Sequence, residues 1–186
     1  VHVEPEGWYY RKVTPEDTAG ILDSLLEGRP YKAKSMYGSD GNPSEDPRAE
    51  SIPFLSGQKK MVLGNMSSMS PLDLGDYLEH GGYSALLKAL ETMTPEEVCA
   101  EIRESGLRGR GGGGFPTGVK WESCRKSPSD KRYVLVNGDE GDPGAFMDRA
   151  LMEGDPFSVL EGLTIGAYAI GASEGIIYVR HEYPLA

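Results

Sequence analysis

The sequence predicts an α/β fold built on a strand, a helix and a second strand. Tyr133-Val-Leu-Val136 is a short apolar run with β-branched residues, and Ile176-Ile-Tyr-Val179 is another. Between them, Asp155-Pro156 predicts the start of an apolar helix and Gly171 its end. Such a βαβ unit pairs its two strands in parallel through a right-handed crossover.

Composition limits the classes of partner. The chain has 186 residues and a net charge of −10, from 19 basic and 29 acidic side chains. This balance argues against nucleic acid or an anionic membrane surface as the main partner. No apolar run reaches the ~20 residues needed to span a bilayer, and the N-terminus lacks the pattern of a secretory signal. We therefore expect a cytoplasmic protein.

The cysteines argue against a metal site. Cys99 and Cys124 are the only two, and they do not form a Cys-x-x-Cys motif. Neither zinc nor an iron–sulfur cluster is expected to be held by this sequence alone. Cys99 lies in a helical pattern and is expected to be a small buried residue.

Four regions are expected along the chain. Residues 1–37 contain a short strand at Trp8-Tyr9 and a helix, and are predicted to be the end of a domain. Residues 38–53 are rich in Gly, Ser, Pro, Asp and Glu and are predicted to be a linker. Residues 54–106 form a helical lead-in, and residues 107–186 form the first part of the α/β domain.

The lead-in is predicted to hold one short strand, at Gln58–Asn65, followed by three helices. The first begins at Ser70-Pro71 and the second at Tyr83. The third begins at Thr94-Pro95, where Thr94 and Glu97 form a capping box, and ends at Gly106. These helices are expected to hold the entry of the next segment rigidly.

That segment, Gly106–Trp121, combines a run of glycines with basic and aromatic side chains. Glycine N–H groups can approach a phosphate closely, and arginine and lysine add charge. The composition fits a nucleotide or a flavin. Gly109, Gly111 and Gly114 have the spacing G-x-G-x-x-G, but a helix precedes them where the dinucleotide fingerprint needs a strand. The match to the ordinary Rossmann turn is therefore interpreted as accidental.

A second candidate segment, Asn137–Gly144, leaves the carboxyl end of the first predicted strand, where open α/β sheets bind ligands. Asp139, Glu140 and Asp142 converge on this acidic turn. Their carboxylates could accept hydrogen bonds from ribose hydroxyls, a flavin ring or a carboxamide. The alternatives are a solvated surface loop, a cap for the next helix, or a divalent metal site.

Two motifs together resemble a known family. Ser105–Trp121 and Asn137–Arg149 resemble the NADH-binding flavoprotein subunit of respiratory complex I. Glu153–Pro156 and Tyr178–Pro184 look most like the β subunits of NAD(P)-linked, including bifurcating, [FeFe] hydrogenases and related formate dehydrogenases. Residues 1–37 look like the closing strand and helix of the thioredoxin-like [2Fe–2S] domain that precedes the flavoprotein in those subunits.

The resemblance implies a Rossmann-like flavin and dinucleotide-binding core. It implies an NAD(P)H dehydrogenase component, in which hydride passes between NAD(H) or NADP(H) and FMN. Electrons would then pass to or from iron–sulfur subunits of a multisubunit oxidoreductase. The family's [4Fe–4S] and [2Fe–2S] ligands are absent from this sequence, which is expected to be part of a longer subunit.

The resemblance also implies roles for individual residues. The flavin and its phosphate would be bordered by the glycine loop, Phe115 would stack on the dinucleotide, and the acidic turn would hold the flavin ring. Glu140 and Asp142 would lie near the nicotinamide, and no side chain is needed as acid or base. The expected cofactor-binding residues are Gly109, Arg110, Gly111, Gly112, Phe115, Lys120, Asn137, Asp139, Glu140 and Asp142.

The chain departs from its relatives at three positions. Many have Glu at the place of Asp142, and Ala at the places of Gly113 and Gly138. Two other functions remain open: Arg108-Gly-Arg-Gly as an arginine–glycine nucleic-acid box, and a docking or structural fragment without redox activity. The flavin hypothesis requires residues 109–120 and 137–142 to line opposite walls of one crevice.

Overall fold

The computed structural model describes residues 1–186, except for the side chain of Ser67. The chain divides into two compact units, Val1–Lys60 and Met61–Ala186.

The first unit is small and built around aromatic residues. Strands β1 (His2–Val3) and β2 (Trp8–Tyr9) pair antiparallel, and they are followed by helices α1 (Thr18–Leu26) and α2 (Pro53–Ser56). Short 3₁₀ helices cover Pro15–Asp17, Lys32–Lys34 and Ala49–Ser51. Its core is formed by Trp8, Tyr10 and Ile21.

The segment predicted as a linker lies within this first unit. Ser44 N–H donates to the Met36 carbonyl at 2.8 Å, and Tyr9 N–H donates to the Pro47 carbonyl at 2.8 Å. Ile52 is fully buried. These contacts connect parts of residues 38–53 to the rest of the first unit, whereas the linker, the other predicted domain boundaries and the thioredoxin-like origin of residues 1–37 stay predictions.

The second unit begins irregularly, and the strand predicted at Gln58–Asn65 is wrong. Residues 61–63 form bends and Gly64–Ser67 is a 3₁₀ helix. Met61 is 93% exposed. Since a strand is stable only when another strand satisfies its hydrogen bonds, an apolar run without such a partner does not suffice.

Four helices follow: α3 (Leu74–Glu79), α4 (Ser84–Thr92), α5 (Pro95–Glu104) and α6 (Thr117–Lys126). Helix α3 starts later than Ser70-Pro71 predicted, because the Asp73 carboxylate accepts from Gly75 N–H at 2.8 Å and Asp76 N–H at 3.2 Å. The predicted capping box of α5 is present, with Thr94 N–H donating to Glu97 Oε2 at 2.7 Å. Helix α6 was not predicted.

The βαβ unit is confirmed. Strands β3 (Tyr133–Gly138) and β4 (Glu174–Val179) pair in parallel, with Tyr133 opposite Glu174 and Gly138 opposite Val179. Two helices connect them, α7 (Met147–Gly154) and α8 (Pro156–Ile170). The Asp155 carboxylate caps α8 through Ser158 N–H, and Gly171 ends it in a left-handed conformation with φ +74°.

Helices α4, α5, α6 and α8 meet in the core of the second unit. Ala89, Val98, Cys99 and Ala169 are buried there, and Trp121 packs against them. Cys99 is 2% exposed, and burial raises the pKa of its thiol. The expectation of a small buried residue at this position is confirmed.

A buried carboxylate joins α3 and α4 to α8. Glu161 on α8 accepts from the Tyr77 hydroxyl at 2.5 Å, from Tyr83 N–H at 2.9 Å and from Leu86 N–H at 3.0 Å. Burial, with the hydrogen bond to Glu161, raises the pKa of Tyr77.

Among the helices that the structure describes, none combines the length and the apolar character that a membrane span needs.

Candidate functional site

The glycine loop connects α5 to α6 and is closed at its base by the backbone. Gly109 N–H donates to the Phe115 carbonyl at 2.9 Å, and Thr117 N–H donates to the Leu107 carbonyl at 2.9 Å. The loop then passes directly into the first turn of α6. The helix that precedes it, α5, occupies the place that a strand holds in a dinucleotide fingerprint, as the sequence predicted.

Two arginines stabilise the loop from within. Arg108 Nε donates to the Gly114 carbonyl at 2.6 Å, and Arg110 donates to the Arg108 carbonyl. Both guanidinium groups of the suspected nucleic-acid box therefore take part in the loop's own hydrogen bonds. This arrangement favours a folded ligand loop over an extended basic segment.

The glycines of the loop differ in what surrounds them. A Cβ added at Gly111, Gly112 or Gly113 would meet nothing within 4 Å, so the backbone there is open to a ligand. Gly112 also has φ +96°, a conformation that side chains oppose. In contrast, a Cβ at Gly118 would lie 2.5 Å from the Arg103 backbone. Gly118 therefore serves the packing of α6 on α5.

The acidic turn leaves the end of β3 as predicted. Asn137 Oδ1 accepts from Asp139 N–H at 3.1 Å, which orders the start of the turn. A Cβ at Gly138 would lie 2.7 Å from the Met152 sulfur, so in this chain Met152 takes the space that an alanine there would need.

One cleft of ≈ 610 Å³ is lined by both segments. Arg110, Gly111 and Gly112 come from the glycine loop, and Asn137, Asp139, Glu140 and Asp142 come from the acidic turn. Seven of the ten residues expected to bind cofactors therefore line a single cleft.

The other three lie outside this lining. Gly109 borders a neighbouring cavity of ≈ 520 Å³ with Met61, Leu107 and Gly114. Phe115 is 58% exposed, and Lys120 is an exposed residue of α6. Lys120 lies in α6, which begins at Thr117. The direction of its side chain is therefore set by the helix and not by the loop.

Sequence reasoning missed several residues of the cleft. Gly141 and Ala145 from the turn complete its lining together with Met147 and Asp148, which begin the unpredicted helix α7. Burial raises the pKa of Asp148, and the neighbouring Glu140 carboxylate raises it further. The next residue, Arg149, forms an ion pair with Glu153, with 3.1 Å between Nε and Oε1.

Two further residues contact the turn from beyond β4. Arg180 Nη1 donates to the Glu140 carbonyl at 2.7 Å, and the Tyr183 hydroxyl donates to Glu140 Oε2 at 3.1 Å. Both lie in the Tyr178–Pro184 segment that carries the resemblance, but nothing in that segment indicated a contact with Glu140, because they follow it by about forty residues along the chain. Only the parallel pairing of β3 and β4 brings them together.

The charge of the cleft is predominantly negative at neutral pH. Its lining holds four carboxylates, Asp139, Glu140, Asp142 and Asp148, and the guanidinium of Arg110. The acidic wall suits neutral hydrogen-bond donors such as ring N–H and ribose hydroxyl groups. Arg110 gives the opposite wall its affinity for an anion.

Comparison with known proteins finds proteins that are similar to part of the second unit. Residues 102–186 match the family described as the Nuo51 FMN-binding domain. The NADP-reducing hydrogenase subunit HndC of Solidesulfovibrio fructosivorans is 51% identical over 129 residues, 69% of this chain and 26% of its own length. An NADH-quinone oxidoreductase subunit of Aquifex aeolicus is 51% identical over 60% of this chain and 26% of its own length.

A third relative extends the match to the first unit. The NAD-reducing hydrogenase HoxS subunit alpha of Cupriavidus necator is 36% identical over 94% of this chain and 27% of its own length. A crystal structure of an NAD⁺-reducing [NiFe]-hydrogenase shares the fold with a TM-score of 0.53 at 24% identity, covering 95% of this chain and 27% of that one. The chain thus spans about a quarter of the length of these relatives.

The resemblance to flavoprotein subunits of complex I and of NAD(P)-reducing hydrogenases is confirmed by these matches. Residues 102–186 are therefore similar to the Nuo51 FMN-binding domain.

Proposed function

We propose that this cleft binds FMN and that the protein transfers electrons between NAD(P)H and FMN as part of a multisubunit oxidoreductase. The observation that carries the proposal is the cleft itself. The open backbone of Gly111 and Gly112 and the polar residues Asn137 and Asp139 line the same space, within the segment that matches the FMN-binding family.

The cleft's size and chemistry fit FMN. A volume of ≈ 610 Å³ lies in the range of roughly 300–1,000 Å³ typical of small-molecule sites. Bare glycine backbone would allow a flat ring to approach closely, and the Asn137 amide and Asp139 carboxylate would meet its polar edge. Arg110 would meet the phosphate.

When bound, FMN supplies the redox chemistry, exchanging electrons in pairs with a nicotinamide and singly with iron–sulfur clusters. The chain's own residues bind and orient it. The acidic turn disfavours a ligand that presents phosphate to that wall, and therefore sets the direction in which FMN lies. Asp142 is placed on the same wall, where it would contact the nicotinamide end of the second ligand.

The partners are proposed from the relatives. Those named above are subunits of hydrogenases and of an NADH-quinone oxidoreductase. We therefore expect iron–sulfur electron-transfer subunits to receive or supply the electrons.

The test is an FMN titration of the full chain followed by flavin fluorescence, then anaerobic addition of NADH or NADPH. One FMN is expected to bind per chain with quenched fluorescence, and the flavin's visible absorbance is expected to bleach on addition of one or both nucleotides. Absence of FMN binding would overturn the proposal. Binding without bleaching would overturn its nicotinamide half.

A further inference from the structure

Glu140 has a strained backbone. Its φ of +47° lies in the left-handed region, which residues other than Gly, Asn and Asp rarely adopt. Such a conformation is unfavourable and persists only where surrounding contacts hold it. The contacts around Glu140 therefore show which interactions keep the acidic turn in this conformation.

The side chain of Glu140 caps a helix from a distance. Its Oε1 accepts from Asp148 N–H at 2.9 Å and its Oε2 accepts from Arg149 N–H at 3.1 Å. These N–H groups belong to the first turn of α7, whose own N-cap residue, Phe146, provides no side-chain cap. Glu140 thus satisfies donors that a local cap normally satisfies.

A buried tyrosine holds the same carboxylate. Tyr183 is 8% exposed, and its hydroxyl donates to Glu140 Oε2 at 3.1 Å. Its ring is contacted by the guanidinium groups of Arg149, at 5.3 Å, and Arg180, at 5.5 Å. Arg180 also holds the Glu140 carbonyl, so the residue is fixed at both its backbone and its side chain.

We propose that Glu140 is a positioning residue, whose carboxylate is held by Tyr183 and α7 so that the acidic turn presents Asn137, Asp139 and Asp142 to the cleft. This inference rests on the proposed function. It gives Glu140 a role beside the expected contact with the flavin or the nicotinamide, because its two oxygens already accept from three donors of the protein.

The first test compares Tyr183→Phe with Tyr77→Phe in the full chain. Each variant removes one hydroxyl that donates to a carboxylate, but Tyr77 donates to Glu161, which is not part of the cleft lining. Tyr183→Phe is expected to weaken FMN binding by up to about tenfold, the limit if the whole free energy of one hydrogen bond to a charged group serves to pre-organise the turn. It is also expected to shift the visible spectrum of bound FMN, whereas Tyr77→Phe leaves both unchanged.

A second pair of variants keeps the proposal testable if Tyr183→Phe does not fold. Glu140→Gln and Asp142→Asn remove the same charge from the same turn. Glu140→Gln is expected to speed amide hydrogen exchange at Asp148 and Arg149 and to shift the spectrum of bound FMN. Asp142→Asn is expected to leave the exchange at these two amides unchanged.

Three results would overturn the inference. The spectrum and affinity of bound FMN could match wild type in both Tyr183→Phe and Glu140→Gln. Exchange at Asp148 and Arg149 could change while the spectrum stays the same, which would make the contact structural only. Wild type could bind no FMN while exchange at Asp148 and Arg149 also stays unchanged in Glu140→Gln, which would overturn both the proposed function and the cap; faster exchange there would leave the cap standing and overturn the proposed function alone.

Discussion

The two walls of the cleft are held in different ways. The glycine loop is closed by backbone hydrogen bonds at its base. At its central glycines, Gly111 and Gly112, an added Cβ would meet no atom within 4 Å. The acidic turn is fixed by side chains, because Glu140 is held by Tyr183, Arg180 and the first turn of α7.

This difference separates the tasks of binding and orientation. A wall of bare backbone can follow the shape of a ligand and leaves its N–H groups available. A wall fixed by a buried tyrosine and a helix terminus keeps its polar atoms in one arrangement before the ligand arrives. The acidic turn is therefore expected to set orientation, and the glycine loop to supply close contact.

The largest effect is expected from Gly118, where α6 packs against α5 directly after the glycine loop. Gly118→Ala places a Cβ against the Arg103 backbone, and overpacking of this kind costs about 2 kcal/mol. Gly111→Ala is the matched control, because open space there should keep its effect within about 0.5 kcal/mol. Urea denaturation followed at the amide signals of α5 and α6 measures both. Equal losses in the two variants would mean that Gly118 does not carry the packing.

The next effect concerns charge on the glycine wall. Arg110→Ala is expected to weaken FMN binding by about tenfold, because it removes a charged hydrogen-bond donor for the phosphate. Lys120→Ala removes an equal charge outside the cleft lining and should leave the affinity within about twofold of wild type. Fluorescence titration at two salt concentrations compares them. A larger loss with Lys120→Ala would show that the phosphate lies elsewhere.

The smallest effect is a pH dependence of the acidic wall. Burial opposes ionisation of Glu140, but the amides of Asp148 and Arg149 and the Tyr183 hydroxyl outweigh it and hold its pKa below the ordinary value. A depressed folded-state pKa means that the contribution to stability is complete above the unfolded value of 4.5 and is lost as the pH falls through the folded value.

Burial, together with the hydrogen bond to Glu140, raises the pKa of Tyr183, so its hydroxyl stays protonated throughout this range. The amide chemical shifts of Asp148 and Arg149, followed by NMR as the pH is lowered, are expected to titrate with a midpoint below 4.5. A midpoint at or above that value would contradict the arrangement of donors around Glu140.

Local signals predicted much of this fold. The capping box at Thr94 and Glu97, the Asp155 cap and Gly171 each act within a few residues, and the corresponding helix ends are observed. The two apolar strands also paired as their connection implied. Contacts of this range can be read from a sequence because the residues that make them are neighbours.

Long-range contacts account for what the sequence did not predict. Helix α7 is not capped by the residue that precedes it in the sequence. Its cap is the carboxylate of Glu140, from an earlier part of the acidic turn. The apolar residues Met61 and Val62 predicted a strand, but a strand also needs a partner. Tyr183 became part of the site only through the pairing of β4 with β3.

The proposed function depends most on both walls binding the same ligand. FMN titrated into the isotope-labelled chain, with amide signals followed by NMR, tests this directly. The signals of Gly111 and Gly112 on one wall and of Asn137 and Asp139 on the other are expected to shift together, with one dissociation constant and one FMN per chain. Shifts confined to a single wall, or different dissociation constants for the two, would contradict it.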